Sequence, residues 1–560
     1  DMRGRLRISG ALVAIALLGA ACGGGSSGGS GGSSGSTVKE GGTLRIGTDS
    51  TIDSLNPFVA FQANAILVFT YEYPYLTMYD AHNNIIPSFA KSWSTSSDGL
   101  TLTFHLTPNA KWSDGQPLTA SDVAWTYNTV VKFQNGPTSY YDTNVTDLKT
   151  VTATDPNTVT FTYSQAQANS ISQLSVIPIL PEHVWGPLAQ GNGKNLKTYQ
   201  NAPSASKPVV SGGPFQLVKY TKDEIALMQR NPTYWGTKPH IDAFGIQIYS
   251  NDDAMTTALK NGELDVIEGV PTTDVKTVQQ AGFSLKTTPG LFFYDFIINS
   301  NPAKTVNKEL LNPQVKQAFE YAIDREQIIK VVLLGYGEPG DSIIPPSDGH
   351  WHDPSIKPLP FDLAKANSIL DSLGYEKASN GYRVADGHEM SYSVLVPTSR
   401  QAELSRTFQI LQPDFQQIGV KLTLKVLDPG ADFAAITAPN NQYKTFDLAM
   451  WDWYTAPDPA EILSVLTKSQ WGSNSDTGYN NPAYDALYNQ QQSATNPTKR
   501  QQIVYQMQQM IFNDRPYIIL NYPDIIDAYN SKAWTGFYLE DGYGIILTSG
   551  TQSLTQVHQV

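Results

Sequence analysis

The chain reads as a mixed α/β and α+β protein of more than one lobe. Three observations predict this. Hairpin signatures with Asp-Gly turns cluster in the first half, and capped amphipathic helices alternate with short apolar strands in the second. The length of 560 residues allows several hydrophobic cores. Hydrophobic residues at 40% and charged residues at 16% belong to a globular chain, not a disordered one. The formal charge of −13 provides no basic footprint, so nucleic acid is not an expected partner.

The chain opens on a targeting pattern. Arg3, Arg5 and Arg7 precede an apolar run, Ile8 to Leu18, too short to span a bilayer comfortably. Small residues then lead to Cys22, and Leu18-Gly-Ala-Ala-Cys22 resembles a bacterial lipobox. Residues 1–21 are therefore expected to be a lipoprotein signal peptide, with Cys22 the site of lipid attachment and membrane anchoring. Cys22 is the single cysteine, which excludes an intramolecular disulfide and a cysteine-based zinc site. Gly23 to Ser36 is wholly Gly and Ser. Such a tether reaches about 20 Å, so 22–42 reads as anchor and spacer.

Thr43 to Asp49 is predicted as the first strand and Asn64 to Tyr75 as a helix. Thr101 to Leu106 alternates after the Asp98-Gly99 turn, and Thr119 with Asp122 forms a capping box for a helix over Ser121 to Val131. Val151 to Tyr163 is a hairpin turning at Asp155-Pro-Asn157. Gly212 to Tyr220 and Glu224 to Arg230 form another. Asp252 to Asn261 is helical up to Gly262. In the second half, Asn312-Pro313 starts a helix with Val315, Phe319, Ala322 and Ile323 on one face. Helices are also predicted over Asp362 to Leu373, Pro482 to Ala494 and Pro497 to Asn513. Pro413 should kink the stripe from Leu404 to Ile418. Tyr517 to Asn521 reads as a late buried strand.

One stretch stands apart: Phe446 to Glu461, FDLAMWDWYTAPDPAE. Its first half has strand periodicity, with Trp451 and Trp453 on one face and Met450, Asp452 and Tyr454 on the other. Large amphipathic aromatics at a strand end more often line a binding surface than a core. Asp458-Pro459-Ala460-Glu461 reads as a capping box for a helix reaching Thr467. His350-Trp-His352-Asp353 contains potential metal ligands, but no further cluster supports them and no metal is expected. G-x-S-x-G, Walker A and H-E-x-x-H motifs are absent from the sequence.

Four blocks resemble the extracellular solute-binding protein family 5, the dipeptide- and oligopeptide-binding type that feeds ABC importers. They are Pro87–Trp93 with Leu100–Leu106 and Trp112–Val123; Gly213–Phe215 with Asn231–Trp235 and Gly262–Asp265; Val315–Arg325; and Phe446–Leu448 with Asp458-Pro459. The resemblance implies a periplasmic-binding-protein-like type II fold, two large lobes around a cleft with an inserted domain. Lobe I would comprise 43–80, 206–298 and 525–560, the insertion 81–205, and lobe III 299–524. It implies a lipid-anchored binding protein, not an enzyme, without a cofactor and monomeric, on the outer face of the cytoplasmic membrane. Its partners would be a peptide or other small solute and the transmembrane subunits of an ABC permease. The implied ligand-binding residues are Trp451, Asp452, Trp453 and Tyr454, the aromatics Phe292 and Tyr294 before the first hinge crossing, and Phe61 and Gln62 from lobe I; Arg400, which follows a strand ending at Val396-Pro397, is a further candidate by its position, as a carboxylate partner. Peptide-binding members carry an aspartate just before the Asp-Pro turn to hold the ligand α-amine. Here Thr455-Ala-Pro457 has no carboxylate, and Asp452 is the candidate substitute. A non-peptide solute, such as an oligosaccharide or opine-like compound, and a secreted hydrolase are the alternatives.

Overall fold

The computed structural model describes residues 38–204, 206–438, 445–546 and 552–560. The expected targeting segment, Cys22 and most of the expected tether lie outside these. A large mixed sheet runs through the molecule. At one end, Thr43–Thr48 pairs in parallel with Ala243–Ile248 and with Val266–Ile267. At the other, Ser391–Pro397 lies between Lys421–Leu427 and Leu448–Tyr454, parallel to both. We call Leu448–Tyr454 the wall strand. It pairs antiparallel with Phe292–Ile298 in unbroken register from Phe292↔Tyr454 to Ile298↔Leu448.

The two ends meet through one long strand, Tyr517–Tyr529. Its first part pairs with Phe292–Ile298 and Gly337–Pro339, its second with Ser284–Pro289 and Val266–Ile267. The sequence predicted only its first five residues, because Pro523 and Asp524 look like a strand end. In the fold Pro523 lies at the passage between the two halves. It lacks an N–H, and its carbonyl accepts from Gly290 N at 2.9 Å.

The apolar side chains follow this division. One hydrophobic cluster joins Leu44 and Ile46 to Phe104, Phe161, Phe215 and Ile545. Two others fill the second half, around Phe296, Phe319 and Met450 on one sheet face and around Phe293, Leu463 and Tyr522 on the other. Phe292–Ile298 contributes to both of these. The chain therefore passes between halves at Pro289–Leu291, ahead of Phe292 and Tyr294, not after Ile298 as the sequence reading placed it. The expected inserted segment carries its own four-stranded sheet, Ala90–Thr95, Thr101–Leu106, Thr158–Tyr163 and Leu148–Asp155 in spatial order. Its inward residues are continuous with the first-half cluster.

Local signals explain most helices. Ala120–Lys132 begins on a complete capping box of Thr119 and Asp122. Pro313–Tyr321, Pro482–Ser493 and Pro497–Asp514 each begin with Pro after a capping Asn. Gln401–Gln417 runs on through Pro413 as one element, so the expected kink does not end it. Among the described residues no helix is long and apolar enough to cross a membrane.

Candidate functional site

The wall strand starts deep and ends in solvent. Leu448, Ala449 and Met450 are buried, Trp451 to Trp453 are half-buried, and Tyr454 is 62% exposed. Its root is fixed by charge. The buried ammonium of Lys304 binds Asp447 Oδ1 at 2.7 Å and Phe446 O at 2.9 Å, and Asn307 Nδ2 donates to Asp447 Oδ2. Ser391–Pro397 pairs with the wall strand only at Leu448 and Ala449. Beyond Ala449, no described strand pairs with that edge, so the aromatic stretch has one edge bonded to Phe292–Ile298 and one edge open. At its end, Thr455 N bonds Leu291 O at 2.7 Å, tying the wall to the passage between halves.

Period-two alternation sends the side chains to different fates. Trp451 and Trp453 pack against the cluster around Phe293. The Trp453 indole N–H donates to Asp476 Oδ2 at 2.9 Å, and Tyr517 O–H donates to the other oxygen. Burial pushes the Asp476 carboxyl up to about 6, against these hydrogen bonds. Asp295, paired with Trp451 across the strands, is raised well above the ordinary range by burial and by the charge of Asp476. On the opposite face Tyr454 stacks on Phe292, with centroids 5.2 Å apart and planes at 23°, and Phe292 meets Tyr294 edge-on. Tyr294 is buried while Tyr454 lies open.

Asp452 and Arg400 answer each other. Arg400 Nε and Nη2 reach the two Asp452 oxygens at 3.0 Å each. Burial works against the Arg400 charge, but the hydrogen bonds and charge of Asp452 outweigh it, and its pKa is raised. Asp452 is therefore not the free carboxylate that the sequence offered for a ligand amine, nor is Arg400 a free carboxylate receptor. Phe61 and Gln62 come together from the first half. Phe61 is 66% exposed, and both backbone N–H groups are held by Asp53 at 3.0 and 3.2 Å, at the start of helix Ala63–Glu72.

Asp458 departs from the capping reading. Its Oδ1 accepts from Ala460 N at 3.0 Å, but the helix is short, Ala460–Val465, and Glu461 is solvent-exposed. The reciprocal half of the box is missing. Arg500 instead grips both Asp458 oxygens, at 2.7 and 2.8 Å. Ser172, from the segment bearing the four-stranded sheet, reaches Asp458 at 3.4 Å. Close by, Ala168 N bonds Gln492 O at 2.7 Å. These contacts join the segment bearing that sheet to the second half. In the 346–353 loop, His352 Nδ1 lies 2.8 Å from Ile344 O, while the His350 ring packs on Trp351 with centroids 4.4 Å apart. Among the described residues no cluster of three or more His, Cys, Asp or Glu is placed to hold a metal. The same loop brings in a residue that sequence reasoning missed. Asp348 is buried beside Thr455, and no local pattern announces it.

The family model for bacterial extracellular solute-binding proteins, family 5, middle, matches residues 84–474. The chain belongs to that family. It is 27% identical over 485 residues to Protein XP55 of Streptomyces lividans, covering 86% of this chain and 83% of the relative. It is 25% identical to the oligopeptide-binding protein AppA of Bacillus subtilis, covering 92% of each. The crystal structure of the ABC transporter substrate binding protein CtaP from Listeria monocytogenes superposes with a TM-score of 0.78 at 23% identity, over 93% of this chain and all of that one. The fold is thus the type II periplasmic-binding-protein fold expected from the sequence. A family 5 member is a solute-binding protein of the kind that serves ABC importers, and its place is extracytoplasmic.

Proposed function

We propose that this family 5 protein is the lipid-anchored receptor of an ABC importer and that it captures a peptide-like solute between its two halves. The open edge of the wall strand from Met450 to Tyr454 carries this reading. An extended peptide can add there as a further strand, bonding through its backbone whatever its sequence. Tyr454 and Phe292 lie beside that edge as an aromatic platform, and Phe61 offers an apolar surface from the first half. Closure would bend the two crossings at Pro289–Leu291 and Pro523–Asp524 while their mutual hydrogen bonds persist. The AppA relative is named as an oligopeptide-binding protein, which agrees with this use of the edge. Cys22 would hold the receptor at the membrane and the Gly/Ser tether would let it turn toward a permease.

The test is to purify the protein, denature it, and identify the released solute by mass spectrometry. A thermal-shift screen follows, because a ligand bound only by the folded state raises the melting temperature by mass action. Peptides of some length should raise it. A rise with a sugar and with no peptide would sink the peptide reading.

A further inference from the structure

Beside the wall, the strand Phe292–Ile298 carries a carboxylate inside a hydrophobic cluster. Asp295 stands opposite Trp451 on the wall strand and opposite Ile519 on Tyr517–Tyr529. Its side chain shares the sheet face of Phe293 and Ile297 and is fully buried. Asp295 Oδ1 accepts the Trp451 backbone N–H at 3.2 Å, so this carboxyl holds the wall by its main chain. Asp476 holds the same strand by a side chain, the Trp453 indole, and Tyr517 O–H reaches its other oxygen. Trp453 lies across from Phe293 and Tyr517 across from Ile297, the residues two before and two after Asp295. A carboxylate that bonds both has to span the middle strand over Asp295. Asp476, also fully buried, does so, and its charge acts on Asp295.

The site has two carboxyls and no cation. Among the described residues neither carboxyl forms an ion pair, and Arg400, on the other face of the wall, is taken by Asp452. Asp452 adds its own negative charge. Burial and both carboxylates push the Tyr517 phenol up, so it remains a donor. Helix Pro429–Thr437 meets Trp451 through Phe433, with centroids 6.2 Å apart, and brings Asp432, which burial raises to about 7. Two charges in one buried site repel each other and lack solvent, so one proton between them is the less costly state. The donors decide where it sits. Asp476 receives an indole N–H and a phenol O–H besides main-chain N–H groups, and suits the charge. Asp295 receives main-chain N–H groups, from Trp451 and from itself, and no side-chain donor among the described residues, and suits the proton.

We infer that Asp295 and Asp476 share a single proton, and that this proton positions the wall strand for its solute. The consequence for binding rests on the peptide reading above. With the proton in place, the Asp295 O–H points to Asp476 and both grips on the wall persist. Burial raises both carboxyls, so the proton is held at low pH and leaves as pH rises. Two facing charges then force one grip, on the Trp451 N–H or on the Trp453 indole, to give way. Asp295 and Asp476 are positioning residues: they act on the solute through the wall and do not touch it.

The experiment follows the Trp453 indole by NMR in protein labelled with nitrogen-15 tryptophan, from about pH 5 to about pH 9, with Trp453→Phe identifying its signal. Trp453 is the reporter because Trp451 also lies near Asp432 through Phe433. In the wild type the signal should move in one step. Asp295→Asn copies the protonated carboxyl, since its amide N–H can face Asp476 while its oxygen accepts from Trp451, so the step should vanish and the signal stay at its low-pH position. Circular dichroism and thermal unfolding check that the variant is folded; if it is not, Asp476→Asn is read in the same way. A pool of synthetic tri- to pentapeptides of Ala, Gly, Ser and Val is then equilibrated with the wild type and the variant at about pH 5.5 and about pH 7.5, and retained peptide is quantified by mass spectrometry. The wild type should retain about threefold or more peptide at the lower pH, and Asp295→Asn equal amounts at both. A wild-type signal that does not move, or an undiminished step in a folded variant, overturns the shared proton. A step accompanied by equal wild-type retention at both pH values overturns its role in binding. Retention of no peptide at either pH overturns the peptide reading, and the indole titration then decides the shared proton by itself.

Discussion

Tyr454 and Trp453 are neighbours with different obligations. Tyr454 is mostly in solvent and stacks on Phe292, so Tyr454→Ala should change folding stability by less than about 0.5 kcal/mol while weakening peptide affinity. Denaturant titration and calorimetric binding measure the two effects separately. Unchanged affinity would remove the wall from the binding surface. Trp453 is half-buried and its indole serves Asp476, so Trp453→Ala should lower both affinity and stability. Trp453→Phe keeps most of the packing and deletes the donor, at a cost of about 1–3 kcal/mol by denaturant unfolding. A stability equal to wild type would mean that the Asp476 contact is idle. At this scale the sequence was partly legible. Strand alternation correctly placed Trp451 and Trp453 on one face, because a period of two is local. The pairing of Asp452 with Arg400, 52 residues apart, and the burial of Asp348 against Thr455 depend on how distant loops return. The conspicuous His350-Trp-His352-Asp353 run drew attention, while the chemically unusual residue was Asp348 just before it.

Among elements, the short helix Ala460–Val465 owes its position less to its cap than to the ion pair at its start. Arg500 is 5% exposed at its side chain and Asp458 17%. Replacing Arg500 with Met leaves a largely buried carboxylate behind, and the expected loss is about 3 kcal/mol. A stable Arg500→Met variant with an unchanged unfolding midpoint would return Asp458 to the capping role that the Asp-Pro-Ala-Glu pattern suggested. That pattern was legible but incomplete, since the competing partner lies on another helix. The crossing between halves is an equally specific element. A methyl on Gly290 would lie 2.8 Å from the Phe292 ring and 2.8 Å from Pro523 O, and backbone on that side cannot rotate away. Gly290→Ala should cost about 1–3 kcal/mol by denaturant unfolding. A neutral result would show that the crossing strands separate easily.

For the whole molecule, the buried carboxylates set the response to pH. Burial raises Glu72 to about 8, Asp432 to about 7 and Asp527 to about 6, and Asp476 behaves likewise. A folded pKa above the unfolded one means that the folded chain binds more protons between the two values. Stability from these groups is present at low pH and is lost as pH rises through about 4 to 8. The groups with lowered values, such as Asp98 and Asp155, act only near and below their ordinary carboxyl range. The melting temperature should therefore be higher at pH 5.5 than at pH 8, read by differential scanning fluorimetry at fixed ionic strength. A rise toward pH 8 would contradict the burial of these groups. The fold class itself was legible from hairpins, caps and family blocks, whereas the full reach of Tyr517–Tyr529 was not, because Pro523 mimics an end. That strand has a consequence for modularity. Thirteen residues give one member to each half's sheet, so neither half owns a complete set of strands. Excised alone, either half would expose a raw β edge and invite aggregation. Chimaeras that exchange halves between relatives would have to carry the strand whole, and its two ends could diverge only in step.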